Sequence, residues 1–303
     1  MAPELTARLG ELQLSSPLIA ASGTVGSVWE WAEVADVGVF GAAVAKSVSP
    51  EPWSGRPAPR LAPTSTGMLN GIGIQNPGIE RWTSEVPPRI SGLGVPVWGS
   101  AVAEDIAGYG LVAKGLESAG VTCVEVNLSC PNLDTGEMFS FAPQAARAVV
   151  ETVVASVSLP VGAKLSPNTP DITAVARACV EAGADFLVLT NTALGFGVST
   201  RERTPLLSGG VGGYSGPGLK PLALRCVFEV ARALPGFPIV GCGGVSSGRD
   251  IVEYAMAGAV AVEIGTVLLA EPKAGNRILG ELSKHLEDLG AGSLEELIGA
   301  AIR

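Results

Sequence analysis

Eight short apolar runs alternate with helical patterns at intervals of roughly 25 to 40 residues, apart from two longer stretches, and this rhythm restricts the fold more than any other feature of the chain. The runs are Leu18–Ser22, Val39–Ser47, Val95–Val102, Val121–Leu128, Val161–Leu165, Phe186–Asn191, Ile239–Gly243 and Ala261–Gly265. Each is apolar almost throughout rather than alternating, as expected of strands covered on both faces in a parallel sheet. Helical patterns at Ala103–Ala119, Pro143–Val157, Asp171–Ala182, Pro221–Leu234 and Gly248–Ala257 lie between them, several opening with Asp, Pro or Ser in capping positions. Eight such units predict an α/β fold, a (β/α)8 TIM barrel with a short N-terminal β extension and long βα loops. A doubly wound sheet would require a glycine fingerprint after its first strand, and Ala21-Ser-Gly-Thr-Val-Gly26 matches that fingerprint poorly. With 303 residues the chain suits one barrel domain, residues 1–303, better than two small domains.

The charge balance narrows the function. Lys and Arg number 20 against 29 Asp and Glu, and no basic stripe is present, so a nucleic-acid surface is not expected. The first residues lack a cationic segment followed by an apolar block, and no apolar run reaches the roughly 18 residues of a membrane helix. A cytoplasmic protein without membrane contact is expected. Cysteines stand at 123, 130, 179, 226 and 242 with no Cys-x-x-Cys pair, so local spacing offers no zinc or iron–sulfur site and the thiols are expected to be reduced. Cys123, Cys179 and Cys226 fall within apolar segments and read as small core residues. The one histidine, His285, lies in a charged helical pattern, which argues against a Ser-His-Asp triad.

The polar residues gather where a barrel does its chemistry, at the carboxyl ends of the strands. After Val121–Val126 comes Asn127-Leu-Ser-Cys-Pro-Asn132, which sets the Cys130 thiol among amides, a polar setting suited to a reactive thiol. The seventh and eighth runs end in Gly241-Cys-Gly-Gly-Val-Ser-Ser-Gly248 and Glu263-Ile-Gly-Thr266. Glycines there let backbone N–H groups close on an anion, and the loops after strands 7 and 8 of such barrels often hold a phosphate. Either motif alone would be explained by tight turns; the pair, on those two strands, points to a phosphate-bearing cofactor. Lys46 and Lys164 end two further apolar runs and, if both face the barrel mouth, can stabilise negative charge; a lysine reaching from a strand end to solvent is the competing account. Asn70, Asn127, Asn132 and Asn191 recur at loop or strand ends, offering the paired donors and acceptors that suit imide-like ligand edges, although loop asparagines also form turns. Pro50 to Pro88 and Gly195 to Gly218 exceed ordinary connections; the first has little helical period, and Met68–Gly78 within it reads as a substrate-facing loop.

These residues carry a resemblance. The segments Ala21-Ser-Gly-Thr, Lys46-Ser, Asn70-Gly-Ile-Gly-Ile-Gln-Asn-Pro-Gly, Asn127-Leu-Ser-Cys-Pro-Asn, Lys164-Leu-Ser-Pro-Asn, Asn191-Thr, Ser215-Gly-Pro-Gly-Leu-Lys-Pro-Leu-Ala, Gly243-Gly-Val and Ile264-Gly-Thr resemble the FMN-containing catalytic subunits of class 1B dihydroorotate dehydrogenases. The likeness runs from about Leu5 to Leu289. It implies oxidation of dihydroorotate to orotate in pyrimidine (UMP) biosynthesis, with Cys130 as the base and Lys164 beside the flavin. Lys46, Asn70, Ile72, Gly73, Ile74, Asn127, Asn191 and Thr192 would neighbour the substrate. The flavin would meet Ser22, Lys46, Ser47, Asn127, Lys164, Thr190 and Gly216, and its phosphate Cys242, Gly243, Gly244, Gly265 and Thr266. Class 1B membership further implies an electron-transfer partner subunit carrying FAD and a [2Fe–2S] cluster, in a heterotetramer built on a homodimer, with NAD+ as final acceptor.

The sequence departs from the family in two places. Where the family often has asparagine near the flavin, this chain has Trp98-Gly-Ser-Ala101, so Ser100 stands outside the expected contacts. The segment Ala193–Thr200 also differs from the usual wording. Gln75, where class 1A enzymes typically carry proline, favours 1B, and class 2 enzymes differ in using serine as the base. A fumarate-using class 1A enzyme and a dihydropyrimidine dehydrogenase-like flavoenzyme are the near alternatives. A non-redox phosphate-binding barrel with a Schiff base on Lys164, an aldolase for example, is the distant one.

Overall fold

The computed structural model describes residues 2–129 and 138–302. Eight parallel strands close on themselves in chain order: Leu18–Ala20, Ala42–Val44, Val97–Ala101, Val124–Asn127, Val161–Leu165, Phe186–Leu189, Ile239–Cys242 and Ala261–Ile264. The last pairs with the first, Val262 opposite Leu18, so the barrel has no free edge. Every apolar run named above contains one of these strands, and in all but Val161–Leu165, where run and strand coincide, the strand is the shorter. Several residues trimmed from the carboxyl ends, among them Lys46, Ser47 and Thr190, line the mouth.

Alternation along each strand sorts the residues into two cores. Leu18, Ala43, Val97, Val124, Val161, Leu187, Ile239 and Val262 face the helices outside, while Ile19, Ala42, Val44, Trp98, Cys123, Phe186, Val188, Val240 and Ala261 fill the interior. The rings of Trp98 and Phe186 pack with centroids 5.3 Å apart. Gly162 must lack a side chain, because a Cβ there would come within 2.2 Å of the Phe186 ring. A hairpin of Ala7–Leu9 and Leu12–Leu14 inserts Leu9 and Leu14 into this inner core, and its turn at Gly10 lies beside Asp185 and Pro238, where two strands begin. This is the expected N-terminal extension, and it closes the amino end of the barrel.

The helices begin where capping chemistry allows. Asp105, Asp171 and Ser247 each accept from a backbone N–H in the first turn of the helices Ile106–Ser118, Ile172–Glu181 and Gly248–Met256, and Pro143 opens Pro143–Val154. The two long stretches are more ordered than their composition suggests. Leu61–Thr64 and Gly67–Asn70 from the first join Gly212–Ser215 and Ala193–Gly195 from around the second in one four-stranded antiparallel sheet over the mouth. The first stretch also holds the helix Ile79–Glu85, against the expectation of little helical period. That pairing joins residues more than 140 positions apart, and local periodicity carries no trace of it.

Candidate active site

Glycine conformations shape the loop after the seventh strand. Gly243 and Gly244 have φ of 133° and 72°, and a Cβ on Gly244 would lie 2.9 Å from the Gly216 carbonyl oxygen and 2.7 Å from the Lys220 nitrogen. Tyr254 Oη donates to the Gly243 carbonyl at 2.7 Å. Asp250 fastens the far side: its carboxylate accepts from the N–H groups of Ser246 and Ser247, each at 2.8 Å, and from Lys220 Nζ at 2.5 Å. Burial alone would raise the Asp250 pKa, but the Lys220 ammonium and the loop donors bring it below the usual carboxylate range. Thus fixed, the loop leaves the N–H groups of Gly243, Gly244 and Gly265 without an acceptor among the described residues. Such converging donors suit an anion. Thr266, beside them, donates its hydroxyl to Ser215 Oγ at 2.8 Å.

Across the mouth, the ends of the first four strands carry a chain of hydroxyls and an amide. Asn127 Nδ2 donates to Ser47 Oγ at 3.2 Å, Ser47 and Ser100 share a hydrogen bond of 2.9 Å, and Ser22 Oγ donates to the Ala45 carbonyl at 2.8 Å. Ser100 is fully buried behind Ser47, so it supports the wall without lining it. Asn191 Nδ2 reaches Ser129 Oγ at 3.0 Å and Asn127 Oδ1 at 3.3 Å, while Asn191 Oδ1 accepts from the Thr192 N–H at 2.7 Å. Asn70 donates to the Gly213 carbonyl at 3.2 Å, tying the two long stretches together beside Ile72, Gly73 and Ile74. Ile74 has φ of 55°, a left-handed conformation costly for a β-branched residue, which marks a loop shaped by its site.

The two lysines differ sharply. Lys46 lines the cavity with no carboxylate within ion-pair distance among the described residues, and burial lowers its pKa below the ordinary 10.5. Lys164 sits at the cavity floor between two buried carboxylates: Nζ lies 2.5 Å from Glu263 Oε2 and 3.4 Å from Glu125 Oε1. Burial alone would discharge Lys164, but Glu125 and Glu263 reverse this and hold the ammonium charged. Burial, with the Glu263 charge beside it, pushes the Glu125 carboxyl well above the usual range. Lys164 therefore faces the cavity, as one of the two accounts of its strand-end position expected, but as a cation already paired with carboxylates. Cys242 keeps its place in the cavity lining while its thiol lies beside Lys164 and Glu263, and burial raises its pKa.

Every expected contact within the described residues lines one cavity of about 1170 Å3: Ser22, Lys46, Ser47, Asn70, Ile72, Gly73, Ile74, Asn127, Lys164, Thr190, Asn191, Thr192, Gly216, Cys242, Gly243, Gly244, Gly265 and Thr266. Cys130 and Asn132 lie outside the described residues. The cavity slightly exceeds the roughly 300–1,000 Å3 of most small-molecule sites, which leaves room for a cofactor and a substrate together. Sequence reasoning missed Glu125 and Glu263, and also Asn168, whose side chain bridges Ser166, the Thr192 carbonyl and the Leu194 N–H. The signal for the two glutamates was present: Glu125 stands two residues before Asn127, on the same strand face, and Glu263 alternates with Ala261.

A closed parallel barrel with free backbone donors after strands 7 and 8 and amides around a deep mouth defines a barrel enzyme whose site lies at the carboxyl ends of its strands. The chain belongs to the dihydroorotate dehydrogenase family, whose sequence model matches residues 4–286. It is 40% identical over 300 residues to the dihydroorotate dehydrogenase B (NAD(+)) catalytic subunit of Geobacter sp. (strain M21), covering 98% of both chains. The protein of the same name from Listeria innocua serovar 6a is 39% identical over 295 residues, with 97% of each chain covered. In fold the chain is similar to the dihydroorotate dehydrogenase of Eimeria tenella, solved with ferulenol, at a TM-score of 0.83 and 20% identity over 99% of this chain and 89% of that one.

Proposed function

We propose that this chain is the catalytic subunit of a B-type dihydroorotate dehydrogenase, oxidising dihydroorotate to orotate in pyrimidine biosynthesis. The carrying observation is the cavity that gathers converging backbone donors, a wall of amides and a lysine with no carboxylate partner among the described residues. FMN suits this arrangement. The free N–H groups of Gly243, Gly244 and Gly265 match its phosphate, and Thr190 Oγ1, buried in the cavity lining with no partner among the described residues, awaits a polar ligand atom. Ser22, Ser47, Asn127, Lys164, Thr190 and Gly216 would hold the ring system, which supplies the acceptor for the hydride from C6 of dihydroorotate.

The protein's own residues do the rest. Lys46, with no carboxylate partner among the described residues, receives the substrate carboxylate, and charge neutralisation offsets the cost of its burial. Asn70, Asn127, Asn191 and Thr192 present donors and acceptors to the amide edges of the pyrimidine, with Ile72, Gly73 and Ile74 packed beside it. Cys130, two residues beyond the described Leu128, removes the proton from C5 as thiolate. Lys164 steadies the charge of the reduced cofactor.

A partner subunit carrying FAD and a [2Fe–2S] cluster would pass the electrons to NAD+, in a cytoplasmic heterotetramer around a homodimer of this chain. The relatives' names, with "NAD(+)" and "catalytic subunit", support this reading. Anaerobic titration of the purified yellow protein with dihydroorotate tests the function: stoichiometric bleaching of the flavin is expected, and a colourless protein, or one bleached equally well by dihydrouracil, would overturn it. Turnover with fumarate in an iron-free preparation would place the enzyme with class 1A instead.

A further inference from the structure

Glu125, Lys164 and Glu263 are buried, with side-chain exposures of 0%, 7% and 0%, and they face one another across three strands of the barrel interior. Two carboxylates and one ammonium, all ionised, would leave a net charge of −1 at the floor of a cavity that must accept an electron pair. An uncompensated interior charge is expensive, and a proton is the simplest remedy. Distance says where it resides. Glu263 makes the short contact with Lys164, 2.5 Å, whereas Glu125 stands at 3.4 and 3.5 Å through its two oxygens. Glu263 Oε1 is buried with no hydrogen bond among the described residues, and the Cys242 thiol faces the same carboxylate. A protonated Glu125 supplies a donor.

We infer that Glu125 and Glu263 are positioning residues that share a single proton, making the Glu125–Lys164–Glu263 unit electrically neutral and clamping Lys164 at the cavity floor. This rests on the flavin reading for its consequence but not for its charge assignment. A neutral unit offers the reduced cofactor an oriented N–H donor instead of a full net cation, so the two carboxylates hold the cofactor's reduction potential below the value an unclamped lysine would give. The upward displacement of the Glu125 pKa agrees with this division of charge.

Infrared spectroscopy of the purified protein, with 13C-labelled glutamate to identify carboxyl bands, reads the proton directly. Wild type is expected to show one protonated-carboxyl C=O band. E125Q removes it, and E263Q removes it as well, because Glu125 then ionises to become the only counter-ion of Lys164. Loss in E263Q is the outcome that mere packing would not produce. Potentiometric titration of the bound flavin gives the second readout. E125Q leaves the midpoint within about twofold of wild type in the ratio of reduced to oxidised affinity, whereas E125Q/E263Q tightens the reduced form about tenfold, equivalent to about 30 mV for a two-electron couple. A wild type without the band, a band that persists in E263Q, or a flavin-loaded double variant with an unmoved midpoint would each overturn the inference. If the double variant does not fold, the infrared comparison of the single variants decides. Protein that binds no FMN on reconstitution overturns the flavin reading alone, since the carboxyl band is read without it.

Discussion

Burial moves the pKa values of Lys46 and Glu125 in opposite directions, the first below and the second above its value in water. For Lys46, burial without an anion lowers the folded pKa below the unfolded 10.5, so the unfolded chain keeps its proton longer and stability rises with pH between the two values. Lys46→Met is expected to stabilise the substrate-free protein by about 1 kcal/mol at neutral pH, read by urea denaturation, while dihydroorotate binding is lost. Glu125 has the opposite sign. Its folded pKa lies above the unfolded 4.5, so its contribution is complete below that pH and is lost as pH rises towards the folded value. E125Q should match wild type near pH 4 and exceed it at pH 7, flattening the stability profile. Cys130→Ala, in which flavin stays bound, is expected to lower turnover by about 10²–10⁴-fold, the usual worth of a positioned base, as measured by stopped-flow flavin reduction. Single residues of this kind were legible when a motif surrounded them, as at Asn127 and Lys164. Glu125 and Glu263 were harder to see, because an acid inside an apolar run declares its role only when the opposing lysine is placed across the barrel.

At the level of elements, the loop after the seventh strand depends on the helix that follows it. Asp250 belongs to that helix, Gly248–Met256, yet three of its hydrogen bonds go to Ser246, Ser247 and Lys220, outside or at the edge of the helix. Asp250→Ala leaves two loop N–H groups without their acceptor and the Lys220 ammonium with Glu253 alone, so a loss of about 2 kcal/mol is expected together with weaker retention of FMN, measured as flavin released on dialysis. Acid has a related effect: because the folded Asp250 pKa lies below the unfolded 3.8, its stabilisation is present above that pH and disappears as pH falls through the folded value. The barrel strands and most helices could be read from the sequence, since apolar runs, caps and glycine turns are local signals. The antiparallel sheet over the mouth could not be read. Met68 pairs with Ser215 and Leu69 with Tyr214, a register fixed by contacts between distant loops rather than by any pattern within either.

For the whole molecule, the barrel provides a rigid frame and the cofactor adds stability to it. A ligand bound only by the folded state at a hundred times its Kd stabilises by about 2.7 kcal/mol, so saturating FMN should raise the apoprotein's Tm by several degrees in a calorimetric scan. Among the described residues no helix is long and apolar enough to cross a membrane. The hairpin bearing Leu9 and Leu14 packs into the inner core at the amino end of the barrel. Among the described residues the cavity opens where the strands end and not where they begin, so dihydroorotate and orotate are expected to share an entrance, and accumulated product should slow the enzyme by simple obstruction.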